Sequence, residues 1–140
     1  MKLPSARSAL LPVLAALVVT TGCGHKPNPP RPAVTGTLTY PNLIVTPGCT
    51  AEVQLNDVTA TNAPAFTLAR AFISPRETAP LPFELHYTAK NILPDHRYVI
   101  LAKITCGAQL VLITDPNVPV LTQGNPTNVT ITLKQVGALR

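Results

Sequence analysis

Proline is spread through this chain too densely for helices to form its core. Sixteen of its 140 residues are proline, and in a helix interior each one removes a backbone donor and clashes with the preceding turn. A helical bundle is thereby excluded, and no stretch shows a convincing helical period; at most, residues 88–92 make one turn. From Val34 onward the pattern is short apolar–polar alternation. It predicts strands over residues 34–40, 50–58, 66–73, 81–87, 98–106, 108–114 and 129–136, with a further short piece at 118–121. Turn residues separate them, among them Pro47-Gly48, Asn62-Ala63-Pro64, Ser74-Pro75, Pro94-Asp95, Asp115-Pro116-Asn117 and Gly124-Asn125-Pro126. Short strands at this spacing predict an all-β domain over residues 34–136: an antiparallel, immunoglobulin- or transthyretin-like β-sandwich of about seven to eight strands.

Alternation also assigns faces. Ala51, Val53 and Leu55 point one way, while Glu52, Gln54 and Asn56 point the other. Tyr98, Ile100, Ala102 and Ile104 share a face, as do Val129, Ile131 and Leu133. One face buried and one wet is what antiparallel sheets show. Cys49 has the parity of Ala51, and Cys106 that of Ile104, so both thiols face inward. If every connection reverses direction, the two lie at the same end of the domain. A Cys49–Cys106 disulfide is then the favoured reading, with two small buried thiols as the other. The stretch Leu93-Pro94-Asp95-His96-Arg97-Tyr98 resembles the corner of immunoglobulin-like sandwiches, where a Tyr hydroxyl bonds back to upstream backbone.

The N-terminus reads as an export signal. Lys2 and Arg7 form a positive region, and residues 8–19 form an apolar run that is shorter than the ~20 residues of a membrane span and is interrupted by Pro12. Thr20-Thr21-Gly22-Cys23 then resembles a lipobox, with Cys23 as the lipidated residue and residues 1–22 as the removed signal peptide. Thr20 departs from the aliphatic residue usual there. Ordinary cleavage, with Cys23 a thiol, is the other reading. The chain has three cysteines; lipid on Cys23 leaves Cys49 and Cys106 as an even pair, and an oxidising periplasm would let them bridge. Residues 23–33 form a tether with prolines at 27, 29, 30 and 32, extended enough to hold the domain up to ~30 Å from a membrane. Lys26 and Arg31 would lie near anionic headgroups. Gly24 after the cysteine, where Asp would signal inner-membrane retention, points to the outer membrane of a Gram-negative cell, facing the periplasm. Residues 137–140 are a short tail.

Composition narrows the function. Outside the signal, nine basic and six acidic residues are scattered rather than clustered, aromatics are 4%, and Trp is absent. A nucleic-acid interface needs clustered bases and stacking rings, so that class is excluded. Ser74, the single serine after the signal peptide, lies in a Ser-Pro turn without the elbow of esterases. His25, His86 and His96 have no Cys or His partner at metal-ligand spacing. Glu84 and His86 share a strand face and read as a solvated pair. His96 beside Asp95 reads as turn chemistry, and Asp57, Asp95 and Asp115 fall at strand ends or turns. The Asn128-Val129-Thr130 sequon means little in a bacterium. No catalytic, metal or cofactor residues are assigned.

The segments Thr35-Gly36-Thr37-Leu38-Thr39-Tyr40, Glu52-Val53-Gln54-Leu55-Asn56-Asp57-Val58, Asn62-Ala63-Pro64, Leu81-Pro82-Phe83-Glu84-Leu85-His86-Tyr87, Pro94-Asp95-His96-Arg97-Tyr98 and Thr122-Gln123-Gly124-Asn125-Pro126 give the chain a family resemblance. In order and spacing it resembles the YbaY-like lipoproteins and the related pilotin (secretin-chaperone) lipoproteins of type III secretion systems. The resemblance spans about residues 34–136. It implies a β-sandwich exposed in the periplasm, and most YbaY-like members have no assigned activity. Its pilotin members bind a secretin subunit and help carry it to the outer membrane. The implied partners are thus the membrane, through the N-terminal lipid, and an envelope protein such as a secretin. No binding residue carries over. Cys49 and Cys106 depart from the family pattern, which has small or polar residues there. The alternatives are an envelope enzyme with an unrecognised site and a structural or stress lipoprotein.

Overall fold

The computed structural model describes residues 24, 26–41, 47–76 and 79–136. The expected signal peptide, Cys23, His25 and the 137–140 tail lie outside them. Eight strands are described: β1 (Ala33–Thr39), β2 (Cys49–Asp57), β3 (Phe66–Ile73), β4 (Leu81–His86), β5 (Tyr98–Cys106), β6 (Gln109–Thr114), β7 (Val118–Val120) and β8 (Asn128–Gln135). A single 3₁₀ turn, Ala89–Asn91, lies between β4 and β5, where the sequence allows one helical turn. Every predicted strand is present, with ends displaced by a residue at most.

The arrangement of the strands corrects one expectation. They do not form two separate antiparallel layers but one continuous sheet in the order β3-β2-β5-β6-β8-β1-β4, with β7 beside β5. The sheet curls into a nearly closed, barrel-like body. The cause is β8, which pairs antiparallel with β6 through Leu112↔Gln135 to Thr114↔Leu133, and parallel with β1 through Thr35↔Asn128 to Thr39↔Thr132. One strand therefore joins what a sandwich would keep apart. Alternation along a strand reports which residues are buried; it does not report whether the sheet closes.

The barrel interior is built from the alternating positions. Val34 and Leu38 of β1, Ala51, Val53 and Leu55 of β2, Ile100, Ala102 and Ile104 of β5, and Leu112 of β6 are fully buried. Gly36 is what lets β1 lie this close to Val129 of β8 and Phe83 of β4. A Cβ there would lie 2.1 Å from the Val129 carbonyl oxygen and 2.8 Å from the Phe83 ring. The ring of Phe83 occupies the space a side chain would take, a common way to cover a strand glycine. On the outer face, β1 and β8 form a hydroxyl ladder: Thr39 and Thr132 lie 2.9 Å apart, and Asn128 Nδ2 donates to Thr35 Oγ1 at 2.8 Å.

The registers define two ends. At one, Cys49 stands directly opposite Cys106 in the β2–β5 ladder, and the two form a disulfide. The favoured sequence reading thus has its geometric reason in adjacent strands. At the other end, Asp57 pairs with Tyr98, Tyr98 with Val120, and Phe66 with Asp57. The chain joins β1 at this second end, where the Tyr87 N–H donates to the Pro32 carbonyl at 3.0 Å.

Candidate partner-binding edge

Because the sheet stops short of closing, it has two terminal strands, β3 and β4, and their sequences differ. In β4 (Leu81-Pro82-Phe83-Glu84-Leu85-His86), the inward residues Leu81, Phe83 and Leu85 are at most 5% exposed. Pro82 removes one N–H from that edge, as edge strands often do to discourage pairing. In β3, the inward residues opposite Val53 and Leu55 are Ala71 and Ala69. Both are small, and both are partly buried, as is Ile73. A bulge at Leu68 interrupts the ladder between Leu55 and Asn56. Beyond it Ala69–Ile73 runs regularly, and among the described residues no strand is hydrogen-bonded to its second side, although β4 lies close by.

The outer face near this edge is a polar ladder. Arg70 Nε lies 3.0 Å from Glu52 Oε1, and Lys103 Nζ lies 3.0 Å from Glu52 Oε2. Gln54 donates to Glu52 at 2.6 Å, and Thr67 donates to Asn56 at 2.8 Å. Partial burial pushes the Glu52 carboxyl up. The hydrogen bonds from Gln54 and Lys103, with the charges of Lys103 and Arg70, outweigh it and hold the carboxyl below its ordinary range. One carboxylate serves two cations, so the ladder carries a surplus positive charge. Beside it, Phe72 stands opposite Glu52 and is 65% exposed.

At the end opposite the disulfide, hydrogen bonds take the place of a covalent link. The Tyr98 hydroxyl accepts from the Leu93 N–H at 2.9 Å and donates to the Asn91 carbonyl at 3.3 Å. This is the backbone-bonded tyrosine expected from the sequence. His96 departs from expectation. Its Nδ1 bonds Asp57 Oδ2, so its partner is the distant carboxylate and not Asp95. Thr59 donates through Oγ1 and N–H to the other Asp57 oxygen, and its Oγ1 accepts from the Arg97 N–H at 2.9 Å. Burial pushes the Asp57 carboxyl up, but bonds from His96 and Thr59 and the His96 charge hold it below its ordinary range. An Asp–His pair can orient a general base; here every other partner is backbone or a threonine that ties two loops together. Thr122 Oγ1 completes the brace by donating to the His96 carbonyl at 2.6 Å. Leu121 and Gln123 have positive φ, a local strain that these bonds hold in place.

The remaining sequence candidates are dispersed. Glu84 and His86 form a surface pair at 3.3 Å, as their shared face implies, and Asp115 lies 3.5 Å from Lys134. A depression of about 440 Å³ over Thr35, Pro82, Phe83 and Asn128 holds a single carboxylate, Glu84. One of about 220 Å³ beside Arg97, Tyr98, Pro119 and Asn125 holds none. Among the described residues there is no group of three His, Cys, Asp or Glu that could hold a metal, and no helix long and apolar enough to cross a membrane. The reading of Arg70 and Lys103 as scattered charges missed that they converge on Glu52. The missed signal was the shared outward parity of Glu52, Arg70 and Lys103.

Comparison with known proteins gives three findings. Residues 29–133 match the family of type III secretion system lipoprotein chaperones (YscW). The uncharacterized lipoprotein YbaY of Escherichia coli (strain K12) is 31% identical over 96 residues, which is 67% of this chain and 50% of that protein. The aligned part therefore spans half the length of that relative. An alternative pilotin from the type II secretion system of Vibrio cholerae superimposes with a TM-score of 0.70 at 29% identity, over 78% of this chain and 100% of the pilotin. They are, respectively, a family of lipoprotein chaperones, an uncharacterized lipoprotein and a pilotin.

Proposed function

Because this chain belongs to the family of type III secretion system lipoprotein chaperones (YscW), we propose that it is a pilotin-like lipoprotein that binds a secretin subunit and helps deliver it to the outer membrane. Membership places it among proteins of the bacterial envelope. The finer reading has the signal peptide removed before Cys23, lipid on that cysteine, and residues 23–33 tethering the barrel on the periplasmic side. The observation that carries the reading is the superposition, at a TM-score of 0.70, of a complete pilotin chain onto the barrel. The geometry agrees with it. The outer face of the terminal strand β3 carries the exposed Phe72, and no described strand is hydrogen-bonded to its second side.

Deletion of the gene, and separately Cys23→Ser, tests this in the source bacterium. Secretin subunits in membrane fractions would be quantified together with their multimers. Both changes are expected to deplete multimers from the outer membrane, and Cys23→Ser to release the protein from membranes. Undiminished outer-membrane multimers in the deletion strain would overturn the chaperone reading. Membrane retention of the Cys23→Ser protein would overturn the anchor.

A further inference from the structure

We propose that β3, along Ala69–Ile73, is the strand on which this protein receives its partner, by pairing with an extended segment that places an acidic residue against Arg70 and an apolar one against Phe72. The inference deepens the chaperone reading and rests on it. Three observations select this edge and this occupant.

The first is backbone. With β2 hydrogen-bonded on one side and, on the other, β4 close by but forming no described ladder with it, Ala69–Ile73 presents a regular row of backbone groups that no described strand pairs. Such a row is met most completely by another extended chain. The β4 edge is a poorer template because Pro82 lacks a donor. The second is burial. The inward residues of β4 are already covered, whereas Ala69, Ala71 and Ile73 remain partly exposed. An added strand would hide apolar surface at β3 and almost none at β4. Since Ala69 and Ala71 are small, the segment's inward side chains have room to be larger, which favours Val, Ile or Leu at alternate positions.

The third is charge. Arg70 and Lys103 share the single carboxylate of Glu52, and the Arg70 side chain is 48% exposed. From Phe66 through Arg76 the chain holds two arginines and no acid. Directly opposed residues in adjacent strands bring their Cβ atoms to ~5 Å, where opposite charges attract and aromatic pairs stabilise. Phe72 shares the outward face with Arg70, two residues along, so one strand can meet both. The occupant is thus a peptide segment with apolar residues inward and an acidic and an apolar residue alternating outward.

Binding of the purified domain to the secretin subunit, measured by calorimetry and by amide hydrogen exchange, tests the proposal. Arg70→Glu and, separately, Phe72→Lys would be compared with Glu84→Lys on the β4 edge, each variant first being shown by circular dichroism and thermal melting to be folded. The expected result is at least a tenfold loss of affinity for each β3 variant, none for Glu84→Lys, and slower exchange at amides of Ala69–Ile73 in the wild-type complex. Wild-type affinity in both β3 variants, or unchanged exchange along β3 in a complex that forms, would overturn the edge and leave the chaperone reading standing. Failure of the wild-type domain to bind the secretin would overturn the chaperone reading and the edge with it. Two β3 variants are used because Arg70→Glu also breaks the Glu52 contact, whereas Phe72→Lys does not.

Discussion

Along β4, Leu81, Phe83 and Leu85 are 2%, 5% and 2% exposed, and a proline interrupts the edge. Along β3 the corresponding inward side is alanine, the outer side carries an exposed phenylalanine and a half-exposed arginine, and the ladder is bulged. Both strands terminate the same sheet, so their difference is not imposed by topology. One edge is finished and the other is left open. The contrast makes β3 the place where this fold gives up burial that a partner can restore.

The disulfide offers the largest perturbation. It closes a loop of 57 residues that contains both terminal strands. By the chain-entropy account its removal costs roughly 3–4 kcal/mol, exerted largely on the unfolded state. Cys49→Ser with Cys106→Ser is therefore expected to lower the urea midpoint strongly and to raise hydrogen exchange at β3 and β4 alike. A rise confined to β3 would show that the bridge acts locally, and that the open edge depends on it.

Gly36 and Ala71 sharpen the contrast at single positions. Gly36→Ala drives a methyl group against the Val129 backbone and the Phe83 ring; overpacking against an atom that cannot retreat is expected to cost about 3 kcal/mol. Ala71→Val on β3 meets a partly open surface and is expected to cost under ~1 kcal/mol, since β-branched residues suit strands. Equal losses in urea denaturation would mean that β3 is packed as tightly as the β1–β4 side of the sheet and that the comparison fails.

Much of this was legible in the sequence, for a physical reason. Period-two alternation fixes which residues are buried, so the strands and the inward parity of Cys49 and Cys106 could be read from it, while the backbone-bonded Tyr98 was legible in the likeness of residues 93–98 to an immunoglobulin-like corner. Closure could not, because it depends on β8 meeting β1, and no residue in Asn128–Gln135 records its neighbours. The His96–Asp57 bond was hidden for the same reason: 39 residues separate the pair, whereas Asp95 is adjacent. The open edge needed the register as well, since Ala69 and Ala71 look like any alternating strand until the position of Leu68 shows where the ladder shifts.

Tyr98→Phe probes the end of the barrel away from the bridge. It leaves the Leu93 N–H and the Asn91 carbonyl without the hydroxyl that joins them, at an expected cost of about 1–2 kcal/mol. The change should loosen the β4–β5 connection while leaving exchange along β3 unaltered. Matching losses in both places would tie the open edge to the corner and blur the distinction between the two sides.

The smallest effect expected is that of acid on the Glu52 ladder, and its sign is set by the carboxylates. Glu52 and Asp57 are both held below their ordinary values of 4.5 and 3.8. The folded protein therefore binds fewer protons than the unfolded chain in that range, and the stabilisation is complete above it. It is lost as pH falls through the lower folded-state values. Stability should accordingly be flat with respect to these groups from neutrality to about pH 5, then decline. Glu52→Gln isolates the ladder's share. At neutral pH it should cost no more than about 1 kcal/mol, because Arg70 and Lys103 are both partly solvated. Below pH 4 it should flatten the decline, leaving the Asp57 part. Exchange along β3 should rise in Glu52→Gln while β4 stays protected, since the ladder fastens β3 to β2 and has no member on β4. An acid response unchanged by Glu52→Gln would assign all of it to the Asp57–His96 brace. The outer ladder would then be irrelevant to how firmly the open edge is held.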